Sequence, residues 1–271
     1  MKITKIYITG DTHGAVAHRV GQLIDNARIT PEETALIILG DAGLNYYLGK
    51  KDKRQKTEVE AKGVYVYCVR GNHEARPSDI PGMKLVNDEF VGGPVWMEEE
   101  FPHIRYFTDW GIYNIDGMRT LVIGGAYSVD KHYRLSRGFC WFENEQLTDY
   151  EMRACTYSTE GRCFDLVLSH TCPFSWRPTD LFLNCVDQST VDNTMETWLE
   201  ELANKVEWKL WLFAHYHTDR LERPHVEMFY GEIEPLSDIT NRWARFDETK
   251  ELDWWLPKGP QFYMDVPKRE S

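Results

Sequence analysis

Five short apolar runs in this chain each stop at a small group of polar residues. That repetition constrains the fold more than any other feature. Residues 3 to 9, ITKIYIT, run into Gly10-Asp11-Thr12-His13-Gly14, and residues 35 to 39 run into Gly40-Asp41-Ala42-Gly43. Residues 64 to 69 lead, through Arg70, into Gly71-Asn72-His73-Glu74. Residues 164 to 168 end at Ser169-His170-Thr171, and residues 209 to 213 end at Ala214-His215-Tyr216-His217. Each run is short and rich in β-branched or aromatic residues, as expected of a buried strand. In an open α/β sheet, ligands bind outside the carboxyl ends of the strands. Five strand ends would therefore deliver their polar residues to one crevice.

The segments between these runs support an α/β reading. Residues 15 to 27 place Val16, Val20, Leu23, Ile24 and Ala27 at helical spacing. Thr30-Pro31-Glu32-Glu33 reads as a helix start with Pro at the first position. Residues 52 to 62 read as a polar helix. The region from 82 to 125, with Gly92-Gly93-Pro94 and the strand candidate Thr120 to Ile123, reads as hairpins of a second, mostly antiparallel sheet. Helices are expected over 143 to 154 and 190 to 205, and a late hairpin over 224 to 236. Neither repeats nor a linker interrupt the chain, so the expectation is one domain over residues 1 to 271. Its motif core spans 3 to 230, and a Trp-rich extension spans 240 to 271.

Composition narrows the function. The formal net charge is -12, so a general basic surface for long duplex nucleic acid is not expected. The six cysteines lack C-x-x-C spacing, the N-terminus lacks a secretory pattern, and no apolar run is long enough to span a membrane. Free thiols in a cytoplasmic protein without membrane attachment are the expectation. Sequence leaves the oligomeric state unspecified.

Carboxylate oxygen and neutral imidazole together suit Mn, Fe, Zn or Ni better than Ca or Cu(I). Two such ions about 3.5–4 Å apart can clamp a phosphoryl group and activate a water. The ordered set D-x-H, G-D, G-N-H-[DE], a lone His and a paired H-x-H resembles the signature of the calcineurin-like metallophosphoesterase superfamily. The resemblance extends over roughly residues 3 to 230. It implies a four-layer α/β/β/α sandwich of two mixed β-sheets flanked by helices. It also implies two divalent or trivalent metal ions, with Mn the first choice. Asp11, His13 and His217 would hold one ion, Asn72, His170 and His215 the other, and Asp41 would bridge them.

By the same resemblance, His73 would assist the leaving oxygen or stabilise phosphoryl charge. Arg70-Gly71-Asn72-His73-Glu74 resembles the phosphoprotein phosphatase branch, in which this Arg binds the substrate phosphate. The chain departs from that branch after Gly40-Asp41. It reads Ala42-Gly43-Leu44-Asn45-Tyr46, without the x-x-D-R-G that supplies an orienting Asp and a second Arg. His73 must then find another partner. Ala214 stands where the family has Gly, and both following histidines remain.

Two further segments mix cations with aromatics: residues 131 to 137, KHYRLSR, and residues 174 to 177, FSWR. Arg134 and Arg177 are candidates for substrate phosphate and base contacts, against the alternative of solvated loops. Cys172 reads as a buried, inert thiol. The expected activity is phosphoester hydrolysis by a metal-bridging hydroxide, acting on a small or medium phosphoester, whether monoester or diester. The alternative is a silent scaffold of the same fold that binds a partner.

Overall fold

The structure, a computed structural model, describes residues 3–182 and 186–249. Its first sheet is built on β1 (Lys5–Thr9), β2 (Thr34–Ile38) and β3 (Tyr65–Cys68), all parallel, with Ile8 opposite Ile37 and Leu36 opposite Val66. The connections are α1 (Val16–Ala27) and α2 (Lys50–Glu60). Such helical crossovers are what parallel neighbours require. Pro31–Glu33 forms a single 3-10 turn rather than a helix start. It leads directly into β2, and β-branched Thr34 already faces the core.

The region 82 to 125 divides between two sheets, which corrects the expectation of one antiparallel sheet. Strands β4 (Lys84–Asp88), β5 (Gly93–Met97) and β6 (Ile104–Phe107) extend the first sheet, with β6 parallel to β3. Strands β7 (Trp110–Ile115) and β8 (Met118–Ile123) form a hairpin that opens the second. After α3 (Lys131–Arg137) and α4 (Asp149–Thr159), β9 (Cys163–Ser169) lies parallel to β8. After α5 (Thr194–Ala203), β10 (Glu207–Phe213) lies parallel to β9. Strand β11 (Arg220–Arg223) pairs with β12 (Val226–Met228), which lies parallel to β10. The second sheet, ordered β11-β12-β10-β9-β8-β7, is therefore mixed and mainly parallel at its centre.

The expected late hairpin does not form. Strand β13 (Glu234–Pro235) crosses back to the first sheet and pairs antiparallel with β1, giving the order β13-β1-β2-β3-β6-β5-β4. Helix α6 (Leu236–Thr249) follows, so the first ten residues of the Trp-rich extension are helical. Residues 250–271 of that extension lie outside the described residues.

Alternation along the strands explains the layers. Ile6, Ile8 and Ile37 of the first sheet pack against Val122, Leu166, Leu168, Leu210 and Leu212 of the second. The intervening Tyr7, Leu36 and Ile38 point the other way, onto Val16, Val20, Leu23 and Val59 of α1 and α2. In the second sheet, Val167, Trp211 and Phe213 face Met152 and Cys155 of α4 and Met195, Trp198 and Leu199 of α5. A strand apolar on both faces belongs in the interior of a layered α/β fold. Each such side chain contributes about 1.5–3 kcal/mol of burial. The result is the four-layer sandwich anticipated from the motif resemblance.

Two helix boundaries move for identifiable reasons. Helix α4 begins at Asp149 because Thr148 closes a capping box with Glu151, rather than at 143. Helix α5 begins at Thr194, after a 3-10 turn over Gln188–Thr190 that excludes Val191. Among the described residues no helix is long and apolar enough to cross a membrane. Cys68, Cys140, Cys155, Cys163 and Cys172 are free thiols, and Cys185 lies outside the described residues.

Candidate metal centre

The carboxyl ends of β1, β2 and β3 in one sheet and of β9 and β10 in the other meet at one edge of the sandwich. Backbone hydrogen bonds stitch their loops together. The N–H groups of Thr12 and His13 donate to the Asp41 carbonyl, at 3.1 and 2.8 Å, and Ala214 N–H donates to His170 O at 2.9 Å. The two sheets are tied where Gly125 N–H donates to Arg70 O at 2.7 Å.

Four of the seven expected ligands lie at positive φ: His13 (45°), Asp41 (49°), His215 (72°) and His217 (52°). A non-glycine residue there costs roughly 1–2 kcal/mol. Such strain persists where the surroundings enforce it, commonly at functional sites. Gly40 (φ 105°) and Gly71 permit the closest approaches: a side chain on Gly40 would overlap the His170 ring, and one on Gly71 would overlap the Asp41 carboxylate.

Asp11, His13 and His217 come together as a first group. The Nε2 atoms of His13 and His217 are 3.0 Å apart, and both face Asp11 Oδ2, at 3.7 and 3.1 Å. Asp11 Oδ1 accepts the His215 N–H at 3.1 Å, whereas buried Oδ2 accepts no hydrogen bond. Asp11, Asp41 and His170 form a second group, and His13, Asp41 and His73 a third. Asp11, His13 and Asp41 each belong to two of the three. Asp41 Oδ1 accepts the His73 N–H at 2.8 Å and lies 3.6 Å from His170 Nε2. The His215 ring stands edge-on to His170, with centroids 4.9 Å apart.

The orientations of His170 and Asn72 are fixed from behind. His170 Nδ1 lies 2.8 Å from Leu39 O, which can only accept, so Nδ1 carries the proton and Nε2 the lone pair. Ser128 Oγ donates to Glu145 Oε2 at 2.5 Å and therefore accepts from Asn72 Nδ2 at 2.9 Å. That turns Asn72 Oδ1 toward His170 Nε2, at 2.8 Å. With His170 neutral, as a metal ligand must be, two acceptors thus face each other at hydrogen-bond distance. A cation bound to both resolves that conflict, so the donor set fits a metal. Ser128→Ala is expected to lower metal affinity or turnover by about 10–100-fold without unfolding the chain. Rates at limiting and saturating Mn²⁺ check this.

The local electrostatics favour the ligand forms of both carboxylates and of His215, whereas at His217 Asp11 outweighs burial and raises the imidazole. Burial alone would raise Asp41, but the imidazoles of His73, His170 and His13 outweigh it and hold the carboxyl well below its usual range. Asp11 is likewise lowered, with His217 and His170 overcoming burial. Burial, reinforced by His170, pushes His215 down to about 3, so its imidazole is neutral at physiological pH. Burial also raises Glu74, beside Asp41, to about 7.

His73 sits at the mouth of the site. Its ring is edge-on to His13 (5.1 Å) and stacked with Tyr46 (6.4 Å). Burial, together with Arg134 and His13, pushes it down to about 4 against the opposing charge of Asp41. Asp130 Oδ1 lies 3.9 Å from His73 Nε2, in ion-pair range but beyond a hydrogen bond. Sequence reading missed Asp130, Ser128 and Glu145 because all three lie outside the five motif segments. Tyr230, stacked on His217 at 4.9 Å, was missed for the same reason.

The three arginines are placed differently from one another. Arg70 is buried; its Nε donates to Asp109 and its Nη1 to Glu145 O at 2.7 Å, leaving Nη2 unpartnered. Segment 131 to 137 is a helix rather than a loop. Its Arg134 is buried and turned inward, donating to Ser128 Oγ at 3.0 Å and Cys140 O at 2.9 Å. Arg177 is held within its own segment, stacked 3.6 Å from the Phe174 ring and bonded to Asn193 Oδ1 at 2.5 Å. No hydrogen bond joins it to the cluster among the described residues. Burial raises the Cys172 thiol well above its usual range, as an inert thiol requires.

No curated protein matches the chain. A protein of unknown function from Aquifex aeolicus, AQ665, is similar at 13% identity and a TM-score of 0.40, covering 88% of this chain and 98% of that one. The sulfate thiohydrolase SoxB from Thermus thermophilus, in complex with glycerol, is similar at 14% identity and a TM-score of 0.36, covering 89% of this chain and 47% of that one. The family described as calcineurin-like phosphoesterase matches residues 4–219, which include every strand end described above. The chain belongs to the calcineurin-like phosphoesterase family.

Proposed function

We propose that this protein hydrolyses small or medium phosphate esters at a dinuclear metal site. Asp11, His13 and His217 hold one ion, Asn72, His170 and His215 the other, and Asp41 is shared. The carrying observation is the pair of opposed acceptors, His170 Nε2 and Asn72 Oδ1, each fixed from behind by its own hydrogen bond. Mn is the first candidate, with Fe, Zn or Ni also compatible with an N/O donor set. When bound, the ions supply Lewis-acid polarisation of the phosphoryl oxygens and acidify a water.

The chain's own residues then orient and discriminate. The His73 backbone N–H holds Asp41 Oδ1, so the G-N-H turn and the shared carboxylate are set together. The His73 ring faces outward past His13, where it can hydrogen-bond the leaving oxygen. Asp130, in ion-pair range of His73 Nε2, is the carboxylate placed to take the part of the Asp missing from the G-D segment. Arg70 steadies the site through Asp109 and the Glu145 carbonyl, and only its Nη2 remains for a phosphoryl oxygen.

Leaving-group chemistry tests the His73 role. His73→Ala is expected to slow esters of poorly acidic alcohols by about 10²–10⁴-fold, the usual range for general acid–base assistance. Nitrophenyl esters, whose leaving group needs little help, should slow far less. Equal losses on both ester types would contradict the assignment. Monoester and diester versions of the same chromophore, assayed in parallel, choose between the two reaction classes.

A further inference from the structure

The overall charge of -12 conceals a local basic region at the mouth of the site. Residues 49 to 57 carry Lys50, Lys51, Lys53, Arg54 and Lys56 against one acid, Asp52. Residues 131 to 142 carry Lys131, Arg134 and Arg137 and no acid at all. Several of these cations are neutralised within the fold: Lys53 pairs with Glu100, Arg54 with Glu58 and Lys56 with Glu98. Lys51, Lys131 and Arg137 make no ion pair within 4 Å among the described residues, although Lys51 lies near Asp52 and donates to Tyr47 Oη at 2.7 Å, and Lys131 lies near Asp192.

Each of those three cations instead lies over an aromatic ring. Lys51 Nζ is 3.9 Å from the Tyr47 centroid, Lys131 Nζ 4.0 Å from Trp141, and the Arg137 guanidinium 5.6 Å from Tyr133. The rings are not core residues. Tyr47 is 45% exposed and Tyr133 56%, with Phe139, 50% exposed, edge-on to Tyr133 at 6.1 Å. Large apolar side chains gathered at a surface point to recognition.

Both segments abut the metal centre. Tyr46 touches Tyr47 (4.7 Å) and Phe142 (6.5 Å) and stacks on His73. Asp130, beside His73, immediately precedes α3. The same few residues therefore join the aromatic, cationic rim to the reacting end of the site.

We propose that the substrate is an unpaired oligonucleotide, whose bases stack on the Tyr47 and Tyr133 rim while Lys51, Lys131 and Arg137 hold its phosphates. This rests on the phosphoesterase reading and names the substrate class of that site. Sequence-tolerant binding of single strands combines these two elements, cations along the backbone and aromatic faces for successive bases. A duplex keeps its bases stacked inward and cannot use the rings. An acidic phosphopeptide would use the cations but leaves the exposed rings without flat partners.

Fluorescence anisotropy of a labelled single-stranded oligonucleotide tests the proposal. The full-length Asp41→Asn chain serves as the binding partner, so that cleavage does not interfere. Saturable binding is expected, tighter than for a duplex of equal length or an acidic phosphopeptide, and weakening as salt rises. Tyr133→Ala and Arg137→Glu, each added singly at an exposed position, should weaken it at least ~5-fold. No saturable binding, unchanged affinity in both variants, or preference for duplex or peptide would overturn the proposal. Chromogenic ester turnover by wild type separates the two readings. Ester turnover without oligonucleotide binding removes only the rim, and binding without wild-type turnover of either the ester or the oligonucleotide removes the phosphoesterase and leaves the rim a binding surface that is not a substrate site.

Discussion

Asp41→Asn is expected to reduce metal-dependent ester hydrolysis by ~10³-fold or more, the equivalent of about 4 kcal/mol of lost transition-state stabilisation. Asp41 is buried, lies in two of the three candidate ligand groups, and is held as a carboxylate by three imidazoles. Asn keeps an oxygen to accept the His73 N–H, so the turn survives. Its second atom becomes an NH₂ donor, which repels a cation instead of binding it. The fold should therefore persist while the metal centre fails. Thermal midpoints of the stripped wild type and variant should agree within a few degrees, and kcat with saturating Mn²⁺ should not. Retention of activity within tenfold would show that Asp41 is not shared between ions.

Gly40→Ala carries the second largest expected effect, and it acts on stability and activity together. At φ 105° an L side chain is strained, and this Cβ would also overlap the His170 ring. That ring is held by Leu39 O behind it and is fully buried, so it has little room to move. Backbone strain of about 1–3 kcal/mol and overpacking of about 1–3 kcal/mol add. The thermal midpoint should fall by roughly 5–15 °C for a domain of this size. Turnover should fall too, because the displaced ring is a ligand. Gly82→Ala is the control: it shares positive φ (90°), but nothing lies within 4 Å of its Cβ. If both variants behave alike, the loss comes from the backbone alone and the close packing of Gly40 on His170 is not what positions the ligand.

The site was legible in the sequence because its residues follow strands, and strands announce themselves by apolar runs. Asp11, Asp41, Asn72, His170 and His215 each come within four residues of a strand end, so placing the strands placed the residues. The four-layer arrangement followed from the motif resemblance, and the both-face burial of the central strands accounts for it physically. Strand partnership was not legible in the middle of the chain. Gly92-Gly93-Pro94 signals turns and hairpins, yet nothing local says that β6 completes the first sheet while β7 begins the second. The assignment depends on long-range pairing, such as Val66 with Ile104.

The residues behind and around the ligands were harder still. Ser128, Asp130 and Glu145 lie in an irregular connection whose composition carries no period, and they gain meaning only from what they touch. Net charge says nothing about local patches. Averaged over the chain it argues only against a general basic surface for long duplex nucleic acid, while two segments far apart in sequence place cations and rings together near His73.

The most direct measurement of the central claim is a Mn²⁺ titration of the stripped, full-length protein, following hydrolysis of a chromogenic phosphoester. The rate is expected to lie near background without metal and to rise to a plateau as two equivalents bind per chain. Full turnover in the stripped protein, indifferent to added metal or chelator, would contradict it.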